Sequence, residues 1–396
     1  MKRVGSILLI IVAMFSLAAC GKDNNVRIES QPSEIETSVD NTSVTNVRNE
    51  DGTESIIKNM TLEEKVWQMF FVTPEDIIDI ETAIQAGDAT KKALQEYPVG
   101  GIIYFSKNIK SREQISEMIK KTQEYSDIPL FIAVDEEGGR VARLGNAGII
   151  DKQPPMLEIG NMEEKQGAEK ASRVGSFLGK ELTDIGFNVD FAPVADIITV
   201  ENNEDIGDRS FGKNPQKVAD LVAAEVRAMQ ENNLSATLKH FPSNGSTETN
   251  THYGTGVCKR TVKQLKSEEF IPFKAGIDAG ADMVMVAHMV VEDIGENLPS
   301  TLSKTVIEKW LRGELGFKKV VVSDALNMGA ITNVYSPEEA AVMAVEAGVD
   351  LVLMSPDAKA ACSAVVNAVK NGEISEERIN ESVNRILTLK KEKGML

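Results

Sequence analysis

The chain has 396 residues, of which 42% are hydrophobic, and this length allows two average domains or one large α/β barrel. Its formal net charge of -17 argues against a nucleic-acid partner, because phosphate binding needs clustered Lys and Arg side chains. Three cysteines are too few for a disulfide framework, so Cys258 and Cys362 are predicted to be buried free thiols, with a disulfide between them as the alternative.

The amino-terminal segment has the pattern of a secretory signal peptide. Lys2 and Arg3 precede an apolar run over residues 7–15, which is short for a helix that spans a membrane. The run leads into "LAAC", which is similar to a bacterial lipobox and predicts cleavage before a lipidated Cys20. We therefore expect a signal peptide over residues 1–19 and an exported lipoprotein on the outer face of the cell membrane. An ordinary signal peptide with a chance cysteine is the alternative.

Residues 20–54 have the composition of a flexible tether. After Cys20 this stretch is rich in Ser, Thr, Asn, Asp and Glu and has few apolar residues. It cannot bury enough surface to offset the entropy lost on ordering. The predicted catalytic domain is residues 55–396.

In this domain, short apolar runs alternate with longer amphipathic stretches. Continuous apolar strands separated by helices indicate a parallel sheet covered by helices. Eight runs predict a (β/α)8 TIM barrel, and the alternative is a doubly wound open sheet, whose Gly-rich phosphate turn is missing after the first run. The runs are Gln68–Val72, Gly100–Tyr104, Leu130–Val134, Val189–Val194, Ala236–Lys239, Met283–Ala287, Val320–Ser323 and Leu351–Met354. Helices are predicted over 110–125, 163–186, 214–232, 303–316 and 337–347.

Ionisable residues follow five of the eight runs. Active sites of barrel enzymes lie at the carboxyl ends of the strands, so these residues predict a site at one end of the barrel. They are Asp135, Asp196, Lys239 with His240, His288 and Asp324.

Three chemistries fit such a set. A metal site through His240, His288 and the Asp residues is one alternative, and a Schiff base on Lys239 is another. The third is glycoside hydrolysis, because carboxylates with Arg209, Lys239 and His240 suit hydrogen bonding to sugar hydroxyls. Hydrolysis with retention needs a carboxylate nucleophile and a separate acid/base, and Asp324 suits the first role because a barrel strand holds it rigidly.

The order of motifs resembles one known family closely, over about residues 57–390. The matching segments are "MTLEEKVWQMFFV" (60–72), "VGGIIYF" (99–105), "DEEGGRVARL" (135–144), "GFNVDFAPVADI" (186–197), "GDRSFG" (207–212), "LKHFP" (238–242), "ADMVMVAHM" (281–289), "LRGELGF" (311–317) and "VVSDALNMGAI" (321–331). They are similar to the glycoside hydrolase family 3 β-N-acetylglucosaminidases, the single-barrel group that acts on peptidoglycan sugars.

This resemblance implies a role for each candidate residue. Asp324 would attack the anomeric carbon and form a covalent glycosyl-enzyme, and His252 would be the acid/base. The residues implied to bind N-acetylglucosamine are Asp135, Arg143, Arg209, Lys239 and His240.

One segment departs from the family pattern, in which "KHFPGHG" is followed by Asp-x-His. Here Ser243 and Asn244 replace Gly-His, and Asn250 replaces the Asp that pairs with the catalytic His. A carboxylate raises the pKa of its His partner, whereas an Asn carbonyl accepts the Nδ1 proton and supplies no charge. Glu248 and Asp208 are candidates to replace the missing charge.

The sequence therefore predicts an exported, lipid-anchored, monomeric β-N-acetylglucosaminidase that acts on peptidoglycan-derived saccharides without a metal or organic cofactor. Two alternatives stay open. A sugar-binding lipoprotein could keep the sugar site and lose efficient proton transfer because of Asn250. Phosphorolysis could replace hydrolysis, since both reactions occur in the wider family.

Overall fold

Eight parallel strands form the central sheet of the protein. The computed structural model describes residues 52–201, 203–248 and 254–396. The strands are β1 Phe70–Val72, β2 Gly101–Ile103, β3 Phe131–Val134, β4 Val189–Asp190, β5 Ser235–Phe241, β6 Met283–Val286, β7 Val320–Ser323 and β8 Val352–Leu353. Every residue in them is buried, which explains why most of the strands appear in the sequence as apolar runs, whereas β5 also carries buried polar side chains.

The sheet curves into a nearly closed barrel. Its strand order is β7-β6-β5-β4-β3-β2-β1-β8. A parallel bridge between Val322 and Leu351 brings its first and last strands together. The predicted eight-stranded barrel is confirmed and the open-sheet alternative is wrong, because the two outer strands of the sheet meet.

Helices surround the strands. Their bounds are α1 Gly52–Asn59, α2 Leu62–Gln68, α3 Pro74–Ile78, α4 Asp88–Glu96, α5 Arg112–Glu124, α6 Arg143–Asn146, α7 Met156–Gly160, α8 Glu164–Ile185, α9 Pro215–Glu231, α10 Val262–Ser267, α11 Phe270–Asp278, α12 Gly329–Thr332, α13 Pro337–Ala347, α14 Ala358–Lys370 and α15 Glu376–Glu392. Four predicted helical stretches contain α5, α8, α9 and α13. The fifth contains a π-helix over Thr305–Glu314.

Helix α13 illustrates how the local sequence sets where an α-helix begins and ends. The Ser336 hydroxyl accepts the N–H of Glu339, and the Glu339 carboxylate accepts the N–H of Ser336. Pro337 occupies the first turn, where a missing N–H costs nothing. Gly348 ends the helix with φ of 115°, a conformation that favours glycine.

Cys258 and Cys362 are both buried, as predicted. Neither forms a disulfide within the part of the chain that the structure describes. Burial raises the pKa of the Cys258 thiol to about 11, so the thiol is protonated and unreactive at neutral pH.

Several sequence predictions lie outside the described residues. They are the signal peptide, the lipidation site Cys20, most of the tether, Asn250 and His252. Helix α1 begins at Gly52, three residues before the predicted domain boundary at residue 55. Among residues 52–201, 203–248 and 254–396, no helix is long and apolar enough to cross a membrane.

Candidate active site

A cleft opens at the carboxyl ends of the strands and has a volume of about 220 Å³. Pockets for drug-sized ligands measure roughly 300–1,000 Å³, so this cleft suits a small molecule such as a single hexose. The six described residues predicted as nucleophile or sugar ligands all line it: Asp135, Arg143, Arg209, Lys239, His240 and Asp324. Glu137, Asp205, Asn244 and Asn327 add polar groups, and Phe105, Phe191 and Met285 add apolar surface.

Lys239 lies at the centre of a chain of ion pairs. Its Nζ is 2.9 Å from Asp135 Oδ1 and 2.6 Å from Glu137 Oε1. Burial disfavours the charged amine, but the carboxylates of Asp135 and Glu137 outweigh burial and raise the pKa of Lys239. Lys239 therefore remains an ammonium group. This argues against a Schiff base, since an amine nucleophile needs a lowered pKa.

Asp135 is held by two cations from different parts of the chain. Besides Lys239, the Arg143 Nη2 donates to Asp135 Oδ2 over 3.1 Å, and the Arg143 guanidinium lies 5.5 Å from the centre of the Phe105 ring. Burial opposes ionisation of Asp135, yet the charges of Lys239 and Arg143 outweigh it and lower the pKa of Asp135. Asp135 is therefore an anion that can accept hydrogen bonds from sugar hydroxyls.

Two glycines allow the tight turn that brings Arg143 close to Asp135. Gly138 and Gly139 have φ of 95° and 54°, and a Cβ on Gly138 would lie 2.7 Å from the carbonyl oxygen of Pro154. The turn pairs the short strand Glu136–Gly138 with Val141–Ala142 in antiparallel fashion. Side chains are strained in the left-handed region, so glycine is required here.

Glu137 is a site residue that the sequence analysis missed. Its carboxylate accepts two hydrogen bonds of 2.8 Å from Nε and Nη2 of Arg209, in addition to the contact with Lys239. Its side chain is 1% exposed. Burial opposes ionisation, but Arg209 and Lys239 outweigh burial and hold the pKa of Glu137 well below its usual range. The spacing of "DEE" was the available signal, because alternate residues on a strand share one face.

His240 is oriented by Asp196, which follows the predicted fourth strand. Lys239 and His240 are joined by a cis peptide bond. His240 Nδ1 lies 2.7 Å from Asp196 Oδ2, and Asp196 Oδ1 accepts the backbone N–H groups of His240 and Asn244. The His240 Nε2 is therefore directed into the cleft, where it lies 3.4 Å from Arg209 Nη2.

Asp324 follows β7 and differs from the other carboxylates of the cleft. Its Oδ1 accepts the N–H of Ala325 over 2.8 Å, and its own N–H is bonded to the carbonyl oxygen of Val286. Asp135 and Glu137 each contact two cations, whereas Asp324 forms no ion pair among the described residues. A carboxylate that is held by backbone and not neutralised by a cation is suited to nucleophilic attack.

His288 also lies at the end of a strand, but its ring makes contacts within the protein interior. It is fully buried, its Nε2 lies 3.0 Å from the carbonyl oxygen of Ala325, and its Nδ1 lies 3.0 Å from Thr301 Oγ1. Within the described part of the chain, no group of three or more His, Cys, Asp or Glu side chains is arranged to hold a metal ion. The metal alternative therefore has no support from these residues.

Comparison with known proteins identifies relatives across the whole barrel. Residues 61–389 match the model of the glycosyl hydrolase family 3 N-terminal domain. The chain is 34% identical over 323 residues to beta-hexosaminidase A of Pseudoalteromonas piscicida, covering 75% of this chain and 54% of that protein. It is 37% identical over 264 residues to a beta-hexosaminidase of Stenotrophomonas maltophilia, covering 66% of this chain and 77% of that protein.

Comparison with solved structures also finds similar enzymes. A family 3 beta-N-acetylglucosaminidase from Paenibacillus sp. FPU-7 has a TM-score of 0.78 at 38% identity, over 85% of this chain and 63% of that one. A beta-N-acetylhexosaminidase from Beutenbergia cavernae has a TM-score of 0.73 at 26% identity, over 85% of this chain and 99% of that one. The chain thus spans about half of the Pseudoalteromonas protein and less than two thirds of the Paenibacillus chain.

Proposed function

This chain belongs to glycosyl hydrolase family 3, and we propose that it is a β-N-acetylhexosaminidase that removes terminal, non-reducing β-linked N-acetylglucosamine. The observation that carries the proposal is the cleft itself. It is sized for one hexose and lined by cations and anions, and among the described residues Asp324 is its one carboxylate without an ion pair. The relatives named as beta-hexosaminidases, at 34% and 37% identity, support the choice of substrate.

The proposed reaction proceeds with retention through two displacements. Asp324 Oδ2 attacks the anomeric carbon while the glycosidic bond breaks, and His252 gives its proton to the leaving oxygen. Water then attacks the same carbon, His252 takes a proton from that water, and the Asp324 carboxylate leaves. The roles of His252 and Asn250 rest on the sequence resemblance, and that of Asp324 is supported by its hydrogen bond from Ala325.

The natural substrates we propose are peptidoglycan-derived saccharides. The family resemblance and the predicted export signal support this choice, since an enzyme on the outer face of the membrane would meet cell-wall fragments. The lipid anchor on Cys20 is part of the same proposal. The comparisons offer no support for the alternative of a sugar-binding lipoprotein that has lost turnover.

Turnover of aryl β-N-acetylglucosaminide tests the proposed activity. We expect release of the aryl group and free N-acetylglucosamine, with a rate independent of added phosphate and far lower rates on the matching aryl glucoside. Phosphate-dependent formation of the sugar phosphate would show phosphorolysis. Sugar binding without turnover would support the binding-protein alternative, and neither binding nor turnover would overturn the proposal.

Replacing Asn250 with Asp tests the proposed acid/base pair. A carboxylate at this position would form a charge-assisted hydrogen bond to His252 Nδ1 and raise the pKa of the imidazole. We expect faster hydrolysis of saccharides with poor leaving groups, by about tenfold, and little change for aryl leaving groups that need no protonation. The ratio of the two rates is the measurement.

Asn371→Asp is a matched control for the Asn250 substitution, because it adds the same charge at an exposed position beyond α14. His252→Ala should remove hydrolysis of natural saccharides. An Asn250→Asp protein with unchanged saccharide rates, together with an active His252→Ala protein, would contradict the proposed pair.

A further inference from the structure

Glu136 lies between two acidic residues of the cleft but turns away from them. Asp135 and Glu137 line the cleft, whereas Glu136, 1% exposed, is buried and is not part of the lining. This follows from the strand geometry of Glu136–Gly138, in which successive side chains point to opposite faces. Any movement of Glu136 therefore acts on both of its neighbours through the backbone.

The Glu136 carboxylate fastens the segment that carries Arg143. Its Oε2 accepts the N–H of Leu144 over 2.7 Å, and its Oε1 accepts the N–H of Gly145 over 3.0 Å. Both groups belong to α6, whose first residue is Arg143. Because Arg143 is bonded to Asp135, one carboxylate supports two predicted sugar ligands at once.

Asp190 and Glu225 are two further buried acidic groups near this segment. Asp190 Oδ1 accepts the N–H of Glu136 over 2.9 Å, whereas Asp190 Oδ2 and both oxygens of Glu225 are buried without a hydrogen-bond partner in the described residues. Burial raises the pKa values of Asp190 and Glu225 well above their usual range. Burial therefore favours the neutral form of both groups.

The groups that act on Glu136 itself favour opposite protonation states. Burial disfavours its anion, whereas the N–H groups of Leu144 and Gly145 and the charge of Arg143 favour it, with the net result that the pKa of Glu136 is raised to about 7. The flanking anions Asp135 and Glu137 are themselves paired with Lys239. Glu136 consequently changes its charge near neutral pH.

We propose that Glu136 is a positioning residue whose ionised carboxylate holds Arg143 and Asp135 in the sugar-binding geometry, and that proton uptake by Glu136 weakens sugar binding. The proposal rests on the proposed function of this cleft. A protonated carboxyl keeps one carbonyl oxygen as acceptor, but its hydroxyl then faces an N–H donor of α6. The hydrogen bond to that oxygen is weakened, because a neutral hydroxyl is a poorer acceptor than a carboxylate anion, and Arg143 is held less firmly in its position.

Calorimetric titration with N-acetylglucosamine from about pH 5.5 to about pH 8.5 tests this inference. Wild-type affinity should rise with pH through about pH 7, by about tenfold, the effect expected from one hydrogen bond to a charged group. Glu136→Gln presents an amide NH₂ to the same N–H donor and mimics the protonated state. It should show the low wild-type affinity at every pH.

Glu225→Gln is the matched control. Glu225 is also a buried glutamate with a raised pKa, but among the described residues its carboxylate accepts no hydrogen bond from α6, so its amide should leave the pH dependence of sugar binding unchanged. A second measurement is the number of protons released or taken up when sugar binds. Titration in buffers of different ionisation enthalpy should show net proton release on sugar binding near pH 7, and Glu136→Gln should remove that release.

Two results would overturn the inference. One is a folded Glu136→Gln protein with the wild-type affinity and pH dependence. The other is wild-type binding with neither pH dependence nor proton release. A wild-type protein that binds no N-acetylglucosamine at any pH would overturn the proposed function, and this inference with it.

Discussion

Asp324→Ala is expected to abolish hydrolysis of β-N-acetylglucosaminides, lowering kcat by at least about a thousandfold. The reason is that the other carboxylates near it are committed elsewhere. Asp135 and Glu137 each contact two cations. Asp205 lies 3.7 Å from Arg209, and Asp196 orients His240. No described carboxylate of the cleft is thus free to form the glycosyl-enzyme in its place. Steady-state rates on an aryl substrate provide the measurement.

Asp135→Ala is the control for loss of a cleft carboxylate that binds and does not react. It should raise KM and lower kcat, yet it should still form a covalent adduct with a slow fluorinated substrate, detected by intact-protein mass spectrometry. Asp324→Ala should form none. Retention of more than about a tenth of the wild-type rate by Asp324→Ala would exclude Asp324 as the nucleophile.

Glu137→Ala is expected to lower the free energy of unfolding by about 3–5 kcal/mol, the range found when one partner of a buried ion pair is removed. Among the described residues, the substitution leaves the Arg209 guanidinium, 11% exposed, with Asp205 at 3.7 Å as its one carboxylate partner, and it leaves Lys239 with Asp135 as its one carboxylate partner. Sugar affinity should fall as well, since Lys239 and Arg209 both line the cleft. Urea unfolding provides the measurement.

The control for Glu137→Ala is Glu376→Ala, which breaks an ion pair with Lys65. Glu376 is 57% exposed, so the loss of unfolding free energy should stay below about 1 kcal/mol.

The pH dependence of the free energy of unfolding tests whether the charge of Glu137 is the cause of its effect. Because the pKa of Glu137 is lowered on folding, its contribution is present above about pH 4.5 and declines as the pH falls below that value. A difference between wild type and Glu137→Gln that stays constant down to about pH 3 would rule out charge as the cause.

The local pattern of the sequence was sufficient to predict the barrel and one end of it as the site. Apolar runs of strand length alternate with helical stretches, and this alternation allows few arrangements other than parallel strands covered by helices. Parallel strands have their carboxyl ends on the same side, so Asp135, Lys239 and Asp324 were predicted to meet although they are far apart along the chain. The π-helix at Thr305–Glu314 was predicted only as a helical stretch, because the hydrogen-bond pattern of its turns has no separate sequence signal.

The sequence by itself determined which residue types reach the cleft, and only the tertiary structure decided what each of them does there. In "DEEGG" three consecutive acids look alike, but strand alternation directs Asp135 and Glu137 to the cations of the cleft and Glu136 to the backbone of α6. His288 stands at a strand end like His240, yet it lies against Ala325 and Thr301. These differences depend on which side chains from distant strands come within about 3 Å of each other, as Lys239 and Asp135 do across 104 positions. Charge pairing acts over such short distances in a buried site that closure of the barrel, and not local sequence, sets the partners.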